Sequence, residues 1–337
     1  AVPAVALGQE HDRRRAREVT QTHMPDDAED FKSNRGYKSS QCNGIYYNRE
    51  ILYTPPKTAT GGDYPASSFT GAWVNGYQTS DGTVNLSTSF QAYTNATLSG
   101  SGNDPAQAAY YYTYSGTQLS QAQKDYSNHS STFYTECNNN SNNSTLFTNV
   151  TVTATSGPAG RVDERTNFAN WYSYYRTRML AMKTGTGRAF QAIGNRYRVG
   201  YMSINNNVSP SFLNIATFED VTGQTQKTNW FSKLYGATPN NSTPLREALA
   251  NTGQIYARKK TSMYGVTVTD PIEYSCQKNF TLLSTDGYWN GNAGFQLDAS
   301  TAIGNQDSSE PRPFNDGGTL ANVYQSTITV SGGNSPK

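Results

Sequence analysis

The feature that most constrains this chain is a change of character at Asp163, just after Gly157-Pro158. Downstream, Phe168, Trp171, Tyr172, Tyr175, Met179 and Met182 recur at three-to-four spacing, the mark of one apolar helix face that Thr166 or Asn167 can cap. Arg198 to Ile204 then reads as a buried strand. A helix from about Phe218 to Tyr235 carries Trp230, Phe231 and Leu234, and another from about Pro244 to Arg258 starts with proline in its first turn. Asn279 to Thr285 reads as a further strand, stopped by Asp286-Gly287. Strands alternating with helices imply a parallel sheet flanked by helices, so residues 158–315 are expected to form an α/β core.

Upstream the text is different. Residues 37–157 hold Tyr46-Tyr47, Tyr53-Thr54-Pro55-Pro56, Tyr110-Tyr111-Tyr112 and an Asn/Ser tract around Asn138 to Asn143, with short β-propensity runs such as Thr148 to Thr153 between turn signals. This predicts a β-rich insertion of short strands and long loops. Residues 1–36 combine a weak apolar run, Ala1 to Leu7, interrupted by Pro3, with the basic cluster Arg13-Arg14-Arg15, and nothing periodic follows; disorder is expected there. Residues 316–337 read as a frayed, Gly-rich end.

Composition narrows the function classes. Only 15% of residues are charged, while Ser, Thr, Asn, Gln, Gly and 24 tyrosines take the surface positions that cytoplasmic proteins usually give to Lys and Glu, which suits a secreted or cell-surface protein. A net charge of +2 is too small to be an electrostatic footprint for phosphate or anionic lipid, so no nucleic-acid partner is expected. No run is long enough to be a transmembrane segment. Three cysteines allow one internal bridge, and of the three pairings Cys42 with Cys137 is favoured because both lie in the same Asn/Ser/Tyr-rich region, leaving Cys276 as the odd thiol.

Ligands of open parallel sheets bind outside the carboxyl ends of the strands, which makes Asp286 a candidate; as part of Asp-Gly it is equally a turn residue. Thr243, beside the amino end of the helix that starts near Pro244, is a second candidate, or else a plain N-cap. Catalytic sets are lacking: His11, His23 and His129 have no ligand or triad spacing, and Asp163-Glu164 is better explained as favourable charge at a helix start.

Three segments in fixed order, Asn167 to Arg176, Ser242 to Leu249 and Asn279 to Trp289, resemble the von Willebrand factor A-like region of the PilC/PilY-type adhesins of bacterial type IV pili. The resemblance reaches back through Tyr53-Thr54-Pro55-Pro56 to Met24-Pro25-Asp26. It implies a von Willebrand factor A-like parallel sheet with a β-rich insertion, no enzymatic activity, a location outside the cell at the pilus tip, and roles in cell adhesion, pilus assembly and twitching motility. The implied partners are pilins or minor pilins and a host or abiotic surface receptor.

In such domains an Asp-x-Ser-x-Ser after the first strand, a later Thr and a later Asp hold a divalent cation (Mg²⁺, Mn²⁺ or Ca²⁺). Thr243 and Asp286 match the second and third elements. Where the family has the first, shortly before Met24-Pro25-Asp26, this chain has Glu18-Val19-Thr20-Gln21-Thr22. A different reading is an extracellular carbohydrate-binding module, in which exposed aromatics of residues 37–157 stack on sugar rings; the opposing expectation is that they build a core.

Overall fold

The computed structural model describes residues 4–7, 34–94, 102–119, 132–138, 145–206, 211–238, 243–284, 291 and 293–303. Two compact units emerge: a sheet unit, Ala1–His11 with Ala192–Lys337, and an aromatic unit, Asp12–Gln191. In chain order the strands are β1 (Ala4–Leu7), β2 (Ala72–Trp73), β3 (Thr83–Val84), β4 (Tyr110–Tyr114), β5 (Phe147–Thr151), β6 (Arg198–Ser203), β7 (Phe212–Thr217), β8 (Asp220–Val221), β9 (Gln224–Thr225), β10 (Ser262–Met263), β11 (Val266–Thr267) and β12 (Thr281–Ser284). The helices are α1 (Thr132–Asn138), α2 (Glu164–Tyr174), α3 (Arg178–Gln191), α4 (Gln226–Gly236) and α5 (Leu245–Tyr256).

The sheet unit is built on four strands in the order β12-β1-β6-β7. β1 runs parallel to both β12 and β6, and β7 pairs antiparallel with β6. The expectation of an unstructured start is thereby corrected at Ala4–Leu7, which takes an inner position. The physical reason is local: pairing begins after Pro3, so the residue without an N–H is not asked to donate, and Ala-Val-Ala-Leu is the apolar run an enclosed strand requires. β6 is likewise buried from Val199 to Ser203.

Two helices pack on these strands. α4 buries Trp230, Phe231 and Leu234; the Trp230 indole N–H donates to the Gly200 carbonyl (3.2 Å), and the Gln226 amide donates to the Val199 and Asn214 carbonyls (2.7 Å each). Gly200 sits where the β6–β7 register shifts, and a Cβ there would stand 2.7 Å from Ile215 Cγ1 and 2.9 Å from the Leu213 carbonyl oxygen, so only glycine fits. α5 contributes Ala248 and Ile255 to a cluster with Met202, Ile204, Phe212 and Met263.

The helix expected from Phe218 begins only at Gln226, because the β8–β9 hairpin turns at Gly223 (φ 82°) and the Asp220 carboxylate accepts from the Thr228 N–H in the first turn of α4 (3.0 Å). α5 ends in a Schellman motif: Lys259 N–H donates to Gln254 (2.8 Å) and Arg258 N–H to Ile255 (3.1 Å), with Arg258 left-handed at φ 60°.

The unit boundary expected near residue 157 falls after Gln191, because α2 and α3 belong with the aromatic unit. One core there joins Tyr46, Tyr47, Tyr53, Leu86, Phe90, Tyr110 and Tyr111 to Phe168, Trp171 and Tyr172 of α2. Long loops bring many backbone groups that need partners, and the polar residues of α2 supply them. Asn167 accepts from Tyr53 N–H (2.7 Å) and donates to Ile51 (2.8 Å); Asn170 accepts from Ser67 N–H (2.9 Å) and donates to Tyr53 (3.0 Å). Trp171 donates to Ile45 (3.0 Å) and Tyr174 to Pro65 (2.8 Å). Cys42 and Cys137 form a disulfide across 95 residues of sequence, worth roughly 4–5 kcal/mol by loop closure, and Cys276 is free and exposed.

Candidate functional site at the carboxyl edge of the sheet

The three parallel strands finish level, with Leu7 opposite Ser284 on one side and Ser203 on the other. Ser203, fully buried, donates its N–H to the Ser211 carbonyl (3.1 Å) and its hydroxyl to the Asn205 carbonyl. The carbonyls of Ser203 and Ile204 both face the hydroxyl of Tyr264, at 3.1 and 3.0 Å. Tyr264 and Gly265 form the two-residue turn between β10 and β11, both at positive φ (50° and 81°), an arrangement that favours Asn-Gly. A left-handed tyrosine costs about 1–2 kcal/mol. Burial first, then the Glu247 carboxylate on the first turn of α5, raises the Tyr264 phenol well above its ordinary pKa.

Thr243 is buried just before α5, and its carbonyl accepts from the Leu245 N–H (2.8 Å). The cap position of α5 is taken by Pro244, which makes no side-chain cap bond. Asp286 lies outside the described residues. Its segment is bracketed by Ser284 at the end of β12 and by Gly291, where an added Cβ would lie 3.3 Å from Pro244 Cβ. From there the chain follows α5, with the Gln254 amide donating to the Phe295 and Gln296 carbonyls (2.9 and 2.8 Å). The described chain after β12 thus resumes at Gly291, beside the residue next to Thr243.

The described residues bring hydroxyls and carbonyls to this edge, donors that suit a hard cation. Among them there is no group of three His, Cys, Asp or Glu placed to hold a metal. β1 ends at Leu7, and Glu18 to Thr22 lies outside the described residues. Sequence reasoning missed Tyr264 altogether. Its signal was Met263-Tyr264-Gly265-Val266, a two-residue hairpin with an unsuitable residue at the turn.

The described aromatics of residues 37–157 form no exposed stacking platform. Every described aromatic between residues 37 and 157 is buried or half-buried, and the tyrosines there pack on one another and on α2. Their flat faces are spent on the core. No described helix is long and apolar enough to cross a membrane.

No protein-family model and no solved structure matches the chain. Over 312 residues, 85% of its length, it is 31% identical to the type IV pilus biogenesis factor PilY1 of Pseudomonas aeruginosa strain PAO1. This chain is related to the PilY-type proteins. A second PilY-type relative, from strain UCBPP-PA14 of the same species, is 31% identical over 272 residues, 77% of the chain. The similarity spans 23% and 21% of these relatives' own lengths, so the chain corresponds to less than a quarter of either PilY-type protein.

Proposed function

We propose that this chain is a non-enzymatic, extracellular module of the type IV pilus system that contributes to pilus biogenesis and to attachment, through the carboxyl edge of a von Willebrand A-like sheet. The observation that carries this reading is the 31% identity to a pilus biogenesis factor over 85% of the chain. The run of three parallel strands with an antiparallel edge, and the level ending of Leu7, Ser203 and Ser284, support the choice of face. Partners in this reading are pilins or minor pilins and a host or abiotic surface receptor. Deleting the coding segment in the source bacterium is the test: loss of surface pili assigns assembly, retained pili without attachment assign adhesion, and unchanged piliation and attachment would sink the proposal.

Thr243 and Asp286 are proposed to hold a divalent cation. The cation would keep an open position for a partner's acidic group. A cation that binds only the folded chain stabilises it by about 2.7 kcal/mol at a concentration one hundred times its Kd. Thermal unfolding in Mg²⁺, Mn²⁺ or Ca²⁺ against EDTA should therefore show a rise that Asp286→Ala abolishes. An identical melting temperature in all four conditions rejects the metal site.

A further inference from the structure

Three non-glycine residues are left-handed in the described chain: Arg258, Tyr264 and Ala299. Arg258 closes a helix and Ala299 lies in the tight turn that Asp298 caps through the Ser300 and Thr301 N–H groups, both ordinary places for such a backbone. Tyr264 is different, because a bulky side chain occupies a hairpin turn where asparagine would relieve the backbone. What tyrosine adds is reach. Its ring packs against the cluster that Met202, Ile204 and Ala248 of α5 help to form, and its hydroxyl bridges the two carbonyls that end β6. The same side chain therefore links the end of β6 to the cluster that α5 helps to build.

We propose that Tyr264 is a positioning residue for the partner-binding edge, kept in a strained turn because its hydroxyl fixes the backbone at the end of β6 relative to the first turn of α5. This rests on the reading of the carboxyl edge as the binding face. No other described side chain hydrogen-bonds to both of these carbonyls, so without the phenol the strand end is free to reorient while the hydrophobic cluster below it stays packed.

Tyr264→Phe isolates the hydroxyl, since ring and turn remain. The substitution is made in the complete protein of the source bacterium, and pilus-dependent attachment to glass is counted at a temperature where circular dichroism shows the purified chain fully folded. Phe231→Leu in α4 serves as a control of matched or lower melting temperature. The expected result is a drop of about tenfold or more in attachment for Tyr264→Phe with melting within a few degrees of wild type, while Phe231→Leu attaches normally. Attachment equal to wild type, or reduced no more than in Phe231→Leu, overturns the proposal. If deletion of the coding segment itself leaves attachment intact, the binding-face reading has failed; if deletion abolishes attachment and Tyr264→Phe does not, only the positioning role has.

Discussion

Glu164 stands at the first position of α2 with 2% of its surface exposed, and no basic side chain bridges it among the described residues. It is held by hydroxyls: Tyr47 and Tyr111 donate to it at 3.1 Å each, and Ser156 donates as well. The sequence offers Asp163-Glu164 as a pair of charges favourable to a helix start. Only Asp163 plays that part, accepting from the Arg165 N–H as the N-cap, while Glu164 turns inward as a shared acceptor. A carboxylate in such a network is worth more than its single bonds, because removing it takes the acceptor from the buried Tyr47 hydroxyl and one acceptor each from Tyr111 and Ser156. Glu164→Ala should destabilise the aromatic unit by about 2–4 kcal/mol, read from the urea midpoint. A loss below about 0.5 kcal/mol would mean that water replaces the carboxylate at little cost.

At the scale of elements, apolar spacing alone runs one helix from Asn167 through Met182, whereas the chain breaks it at Tyr175–Thr177. Thr177 is the reason, since its hydroxyl accepts from the Leu180 N–H (3.2 Å) and so caps α3. Periodicity could not reveal this, because the aromatic stripe continues across the break in register. Nor could it tell that Asn167 and Asn170, spaced like a solvent face, are buried and bind loop backbone. At β6 the informative residue is Gly200, whose absent Cβ admits the neighbouring strand. Gly200→Ala should cost about 1–3 kcal/mol, since one of the atoms in the way is a backbone carbonyl. Differential scanning calorimetry on the whole chain checks it; an unchanged transition would show that β7 can shift freely.

At the scale of the whole molecule, pH acts on the aromatic unit through its buried phenols. Burial first raises the phenols of Tyr46, Tyr47, Tyr110, Tyr111 and Tyr174, and that of Tyr53 to about 12. Between the ordinary tyrosine value near 10 and the raised one, the folded state keeps a proton that the unfolded chain has lost. Each such group then costs up to about 1.4 kcal/mol per pH unit as pH rises. Lys183, which burial lowers to about 8, has the opposite sign: from there to about 10.5 the unfolded chain binds the extra proton, so stability grows. The aromatic unit should be most stable between about pH 8 and 10 and fail steeply above it. Urea midpoints from pH 7 to 11.5, followed by tyrosine absorbance, test this, and a flat profile above pH 10 would mean that these hydroxyls ionise in the folded state.

Strands β6 and β12, helix α5 behind Thr243 and the Cys42–Cys137 pair were legible in sequence, the elements from local spacing and the pair from the shared composition of its region, whereas β7 and the hairpins β8–β9 and β10–β11 were not. The inner position of Ala4–Leu7 was not, since four apolar residues carry no label naming strands hundreds of positions away. That pairing has a kinetic consequence. Leu7 leaves the ribosome well before its partners Ser203 and Ser284, which arrive only after the whole aromatic unit has been made. The aromatic unit can complete its core while the first strand is still waiting, and closure of the sheet is then a late event of high contact order. Until that moment a short, sticky segment stands open to any neighbouring strand, which makes the interval between synthesis and closure the time when this chain most needs a chaperone.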